Sequence, residues 1–154
     1  MAKLGFKDKQ ITGNVGLFYV AYKLSRMGWN VLPTSRNAKG IDLLIYGKHG
    51  EIFHTIQAKS YTRKEAVGPF KEIPDAIADF YVVVCNVYQY PKTYILANNE
   101  VKALLKPNKK GYWLQFKDYM KEDFLDKWNK IGYGFADDIE TEQIINMDKE
   151  LNGK

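Results

Sequence analysis

The run Phe80-Tyr81-Val82-Val83-Val84-Cys85-Asn86-Val87 constrains this chain more than any other segment. It is rich in β-branched and aromatic residues, and Asn86 is its one polar member. A strand with one wet face alternates apolar and polar residues, whereas a run apolar in both phases needs cover on both faces. The chain must therefore place a layer on each side of a sheet. Its 154 residues are close to the size of one domain, enough for one such sandwich.

The flanking segments supply the layers. Leu17, Val20, Ala21, Leu24 and Met27 recur at helical spacing, with Thr12 or Asn14 as the expected N-cap and Gly28 as the glycine beyond the C-terminus. Trp29 to Leu32 reads as a short strand stopped by Pro33. Ile41 to Tyr46 and Glu51 to Lys59 read as a hairpin around Gly47-Lys48-His49-Gly50. Thr93 to Ala97 is a further strand, followed by a helix through Val101 and Leu105 that Asn98 or Asn99 would cap. Gly111 to Phe116 suggests another strand, and Tyr119 to Trp128 a helix. This order predicts an α/β sandwich, a central mixed β-sheet flanked by helices, over residues 1–136. Residues 137–154 form an acidic C-terminal tail with a short amphipathic helix around Ile144, Ile145 and Met147.

Composition removes several classes of function. No apolar run approaches the ~18 residues of a membrane span, so no membrane partner is expected. The charged start, Met1 to Lys9, is unlike a signal peptide. A single cysteine, Cys85, excludes an intramolecular disulfide and a cysteine-based zinc cage, which favours a reducing, cytoplasmic setting. His49 and His54 are too few for a multi-histidine metal centre. Charge is unevenly spread: residues 1–64 carry eleven Lys and Arg against three acids, and residues 137–154 carry two against six. A basic half of this kind suits contact with a phosphate backbone.

The most informative polar placement is Asp42 at the head of an apolar strand, with Gln57-Ala58-Lys59 at the end of the next. Side chains alternate along a strand, so Gln57 and Lys59 share a face. A hairpin brings Asp42 within reach of them. A carboxylate, an amide oxygen and an ammonium at one sheet end suit Mg²⁺-assisted phosphodiester hydrolysis, because hard oxygens hold the ion and the lysine polarises water. The same placement also describes a strand-end acid beside the wet half of an edge strand, and spacing alone leaves both readings open.

Gly13-Asn14-Val15-Gly16, Met27-Gly28-Trp29-Asn30-Val31, Gly40-Ile41-Asp42 and Gln57-Ala58-Lys59 come in an order that resembles the PD-(D/E)xK nuclease superfamily. Its members include proteins like restriction endonucleases and Holliday-junction resolvases. The likeness covers about residues 11–62. It implies a restriction-endonuclease-like fold and a Mg²⁺- or Mn²⁺-dependent DNA endonuclease acting on double-stranded or branched DNA. A homodimer is also expected, since cutting both strands takes two sites. Under this resemblance Asp42, Gln57 and Lys59 are catalytic, and Asp42, Gln57 and the Ala58 carbonyl hold the metal. The chain departs from the pattern at Leu17, where members often carry a glutamate. One carboxylate holds Mg²⁺ weakly unless phosphate oxygens complete its shell. The alternative is therefore a catalytically weak or inactive nucleic-acid-binding protein that keeps the fold, and a third reading is a protein-interaction module.

Arg36, Lys39, Arg63 and Lys64 flank the candidate site in loops and are expected at DNA phosphates, with Tyr61 as the aromatic nearest a nucleotide. His54, out of phase with Gln57, is expected to pack within its strand. Cys85, Trp29, Trp113 and Trp128 are expected in the core.

Overall fold

A computed structural model describes residues 8–35, 40–50, 53–135 and 138–152. Helix α1 (Lys9–Arg26) leads the chain. Its cap is Asp8, whose carboxylate accepts from the amides of Gln10 and Ile11 at 2.8 and 3.2 Å. The expected caps do other work: the Thr12 hydroxyl pairs with that of Tyr88 at 3.0 Å, and Asn14 lies exposed within the helix. Gly28, at φ 89°, ends the helix as expected, because only a residue without Cβ adopts that conformation cheaply.

Five strands form the main sheet in the order β1 (Asn30–Pro33), β2 (Leu43–Tyr46), β3 (Phe53–Ser60), β5 (Phe80–Cys85), β6 (Lys92–Ala97). All neighbours are antiparallel except β3 and β5, which run parallel. A second sheet of β4 (Val67–Phe70), β8 (Gly111–Leu114) and β7 (Lys106–Asn108) lies apart in the ladder order. Helices α2 (Asn98–Leu104), α3 (Phe116–Tyr119) and α4 (Asp138–Asn152) complete the elements.

The apolar run behaves as its composition demands. Val82 and Val84 of β5 pack with Val20 and Leu24 of α1, and with Leu43, Ile45 and Ile56 of the neighbouring strands. Tyr81, Val83 and Cys85 face the opposite way, into a second core with Val67 and Phe70 of β4, Val101 of α2, Leu114 of β8 and Tyr119 of α3. One face of the sheet thus packs on α1 and the other on the small sheet with α2 and α3. The fold is the expected α/β sandwich with a central mixed sheet.

Some local expectations are corrected. Tyr119 to Trp128 is not a helix: α3 ends at Tyr119, and the Ile95 amide donates to the Phe124 carbonyl at 2.9 Å. A bridge between Tyr94 and Leu125, and Asp126 at φ 52°, likewise hold this segment against the edge of the sheet rather than in a helix. Asn98 does not cap α2 but donates its side-chain amide to the carbonyls of Ala76 and Ala78. Strand β2 begins at Leu43 rather than Ile41, since Asp42 has left the regular ladder. Helix α4 is tied to the body by Arg26 with Asp148 and Lys48 with Glu140, at 3.2 and 3.3 Å. Exposed pairs of this kind contribute about 0–1 kcal/mol each.

Candidate active site

The candidate residues lie at and beside the end of β3, Gln57 and Lys59 in one depression and Asp42 in another. Strand alternation puts Gln57 beside Tyr81 and Lys59 beside Val83 in the parallel register, so both occupy the sheet face opposite α1. Ala58, beside Val82, packs towards α1. Asp42 sits just before β2. Its amide donates to the Ile56 carbonyl at 2.8 Å, and its Oδ2 accepts from the Ala58 amide at 2.9 Å. The carboxylate is therefore fixed to the peptide between Gln57 and Lys59.

Close approach of α1 makes this arrangement possible. A Cβ at Gly16 would fall 1.6 Å from the Ser60 hydroxyl, so only glycine lets the helix lie against the end of β3. Gly13, one turn earlier, meets nothing within 4 Å and faces open space. Glycine inside a helix costs about 1 kcal/mol relative to alanine. At Gly16 packing accounts for it, and at Gly13 packing does not.

Three depressions lie about Ala58 and Lys59, and the third shares lining residues with each of the other two along a trough. The first, about 440 Å³, is lined by Asp42, Ala58 and Lys9, Gly13, Asn14 and Leu17 of the first helix. The second, about 410 Å³, holds Gln57, Lys59, Lys71 and Asp75. The third, about 560 Å³, holds Lys9, Lys59, Tyr61 and Trp113. Gln57 and Lys59 thus share a depression, while Asp42 lies in another; the third depression has Ala58 in common with Asp42's and Lys59 in common with Gln57's.

Gln57 is only 8% exposed, and its amide oxygen has no hydrogen-bond partner. A buried acceptor left unpaired costs about 1–3 kcal/mol, so it marks a donor or cation that the protein does not itself supply. The Gln57 amide oxygen and, in the neighbouring depression, the Asp42 carboxylate are both hard oxygen donors of the type that a divalent cation takes. Among the described residues there is no group of three His, Cys, Asp or Glu side chains for a metal. Leu17, half-buried, lines the Asp42 depression where another carboxylate would serve.

The remaining expectations divide. Arg36 and Lys39 lie outside the described residues. Arg63 and Lys64 are exposed in the loop after β3 but line none of the three depressions, and Lys64 lies 5.1 Å from the Phe116 ring centroid. Tyr61 lines the third depression, and burial, with Glu65 nearby, pushes its phenol well above the ordinary range. His54 stands edge-on between Trp29 and Phe80, packed as expected. Cys85 is buried, with its thiol pushed up by burial, and Trp29 and Trp128 are core. Trp113 is not: it is half-buried and lines the trough. Sequence reasoning missed Lys9, Lys71 and Trp113, which reach the site from elements distant in the chain.

The mixed five-stranded sheet, packed between its leading helix and a small second sheet, defines the class, a restriction-endonuclease-like α/β fold. Among solved structures, the chain is similar to the bacterial homing endonuclease I-Ssp6803I, with 15% identity, a TM-score of 0.54, and 80% of this chain and 93% of that one covered. It is also similar to the Holliday junction resolvase Hjc of Archaeoglobus fulgidus, with 11% identity, a TM-score of 0.44, and 67% and 90% covered. No protein-family model and no curated protein sequence matches the chain.

Proposed function

We propose that this protein is a divalent-metal-dependent DNA endonuclease. The observation that carries this reading is the unpaired, buried amide oxygen of Gln57, one strand position from the peptide that fixes the Asp42 carboxylate and two from Lys59. The fold shared with a homing endonuclease supports it. Asp42, Gln57 and the Ala58 carbonyl would hold Mg²⁺ or Mn²⁺. The bound ion supplies charge neutralisation at the reacting phosphate. Lys59, with no ion-pair partner among the described residues, is free to donate hydrogen bonds to a phosphate oxygen or to the attacking water. Lys9 and Lys71 flank it along the trough and contact neighbouring phosphates. A second copy of the chain would serve the other strand.

Cleavage of supercoiled plasmid with Mg²⁺ or Mn²⁺, against an EDTA control, tests this. Lys59→Ala should lower the rate by about 10²–10⁴-fold, the usual worth of a positioned proton-transfer group, while DNA binding persists. One observation favours a second reading, a DNA-binding relative with little activity: with Leu17 beside it, Asp42 is the single carboxylate of its depression. Salt-sensitive binding without metal-dependent cleavage would establish it.

A further inference from the structure

The 560 Å³ depression reaches Lys9 and Lys59 but contains neither Asp42 nor Gln57, and metal-assisted hydrolysis leaves its end at Tyr61 and Trp113 without a role. Its volume lies within the range of small-molecule sites, about 300–1,000 Å³. Trp113, half-buried, contributes an indole whose Nε1 has no hydrogen-bond partner. Buried polar atoms are nearly always paired, so this unpaired donor is retained hydrogen-bonding capacity. Gly68 makes room for the indole. At φ 151° it is in a region reserved for glycine, and a Cβ there would come within 3.0 Å of the Trp113 ring.

The cavity is built rather than incidental. The Tyr119 hydroxyl donates to the Glu65 carbonyl at 2.5 Å, which anchors the loop after β3 to the core. Tyr61, on that loop, receives the Val87 amide on its carbonyl and donates its own amide to Val84. Lys9 and Lys59 line the same cavity against one acid, Glu65, so it is net positive. Two aromatic rings, a spare indole donor and two cations together match a nucleotide: a stacked base and a neutralised phosphate.

We infer that this depression receives a single unpaired nucleotide of the DNA substrate, its base against Trp113 and Tyr61 and its phosphate between Lys9 and Lys59. A base held in a duplex stack cannot enter, so the preferred substrate carries an unpaired nucleotide beside the reacting phosphate. The inference rests on the DNA-endonuclease reading and narrows its substrate class.

The test uses the full chain in EDTA, so that nothing is cleaved. It compares two short duplexes by fluorescence anisotropy, one fully paired and one with a single bulged 2-aminopurine. The bulged duplex should bind about tenfold more tightly, the scale of one base–aromatic stack, and its 2-aminopurine emission should change on binding. Trp113→Ala and the cavity-filling Ala66→Phe should each reduce that preference to near onefold, and Ala66→Phe should leave paired-duplex affinity unchanged. Trp113→Phe should keep most of it. Circular dichroism of each variant shows that it is folded. Equal affinity of the wild type for both duplexes overturns the pocket alone, as does a preference that survives in Ala66→Phe and Trp113→Ala. No binding of either duplex at low salt overturns the endonuclease reading with it.

Discussion

The Asp42 carboxylate accepts a 2.9 Å hydrogen bond from the amide of Ala58, the residue that separates Gln57 from Lys59. A strand residue whose amide is met by a side chain has its peptide plane fixed, so the same bond positions the acid and the two residues flanking Ala58. Asp42→Asn keeps an acceptor of the same shape but loses the charge. Stability should fall by only about 1 kcal/mol, the difference between a charged and a neutral acceptor. Mn²⁺ affinity should fall at least tenfold. Urea denaturation beside calorimetric Mn²⁺ titration checks both; a large stability loss would mean the acid is chiefly structural.

The two glycines of α1 should respond with opposite signs. Gly16→Ala drives a methyl into Ser60 against the end of β3, and overpacking of that kind costs about 1–3 kcal/mol. Gly13→Ala meets nothing and gains helix propensity of about 1 kcal/mol, equivalent to a rise of about 2–4 °C in Tm. Gly13→Ala also adds bulk at the trough wall, so thermal stability should rise while DNA affinity falls. Thermal melts with binding isotherms on both variants decide this.

On the proposed endonuclease reading, DNA lying along the trough meets Lys9 and Lys71. Lys9 and Lys71 line it, whereas Arg63 and Lys64 do not. Removing one phosphate-binding cation flattens the log-affinity versus log-salt slope by about 0.9. Lys9→Ala with Lys71→Ala should therefore remove about two units, and Arg63→Ala with Lys64→Ala less than one. The reverse ranking would move the DNA path to the loop after β3.

What can be read from the sequence follows from which forces act locally. The strand alternation of Gln57 and Lys59, the apolar run of β5 and the helix stop at Gly28 are set by neighbours in the chain, and each is legible there. Strand β4 is not, because Gly68-Pro69 in its middle reads as a breaker. Strand β7, Lys-Pro-Asn and exposed throughout, carries no pattern at all. The spacing of Phe124, Leu125 and Trp128 suits a helix, but pairing with β6 overrides it. At the site, Asp42, Gln57 and Lys59 lie on one hairpin, so a single local pattern links them. Lys71, just after β4, and Trp113, on β8, arrive with the small sheet that covers the opposite face, and no spacing rule links them to Lys59.

Leu17 offers the most direct test of the metal position. It is half-buried on α1 and lines the same depression as Asp42, one helical turn beyond Gly13. With Asp42 as the single carboxylate there, a hard cation is held mainly by neutral oxygens, which Mg²⁺ accepts only with most of its water retained. Leu17→Glu adds a second full negative charge to that depression. Its partly buried methyl groups are lost, at a cost of about 1–2 kcal/mol in stability, while Mn²⁺ affinity should rise by about tenfold or more. The gain should depend on Asp42: in Asp42→Asn/Leu17→Glu the new carboxylate again stands alone, and affinity should return close to the wild-type level. Calorimetric titration of the three variants separates a shared site from an independent one. A Leu17→Glu gain that is undiminished by Asp42→Asn would place the ion away from Asp42, and no gain at all would place Leu17 outside its shell.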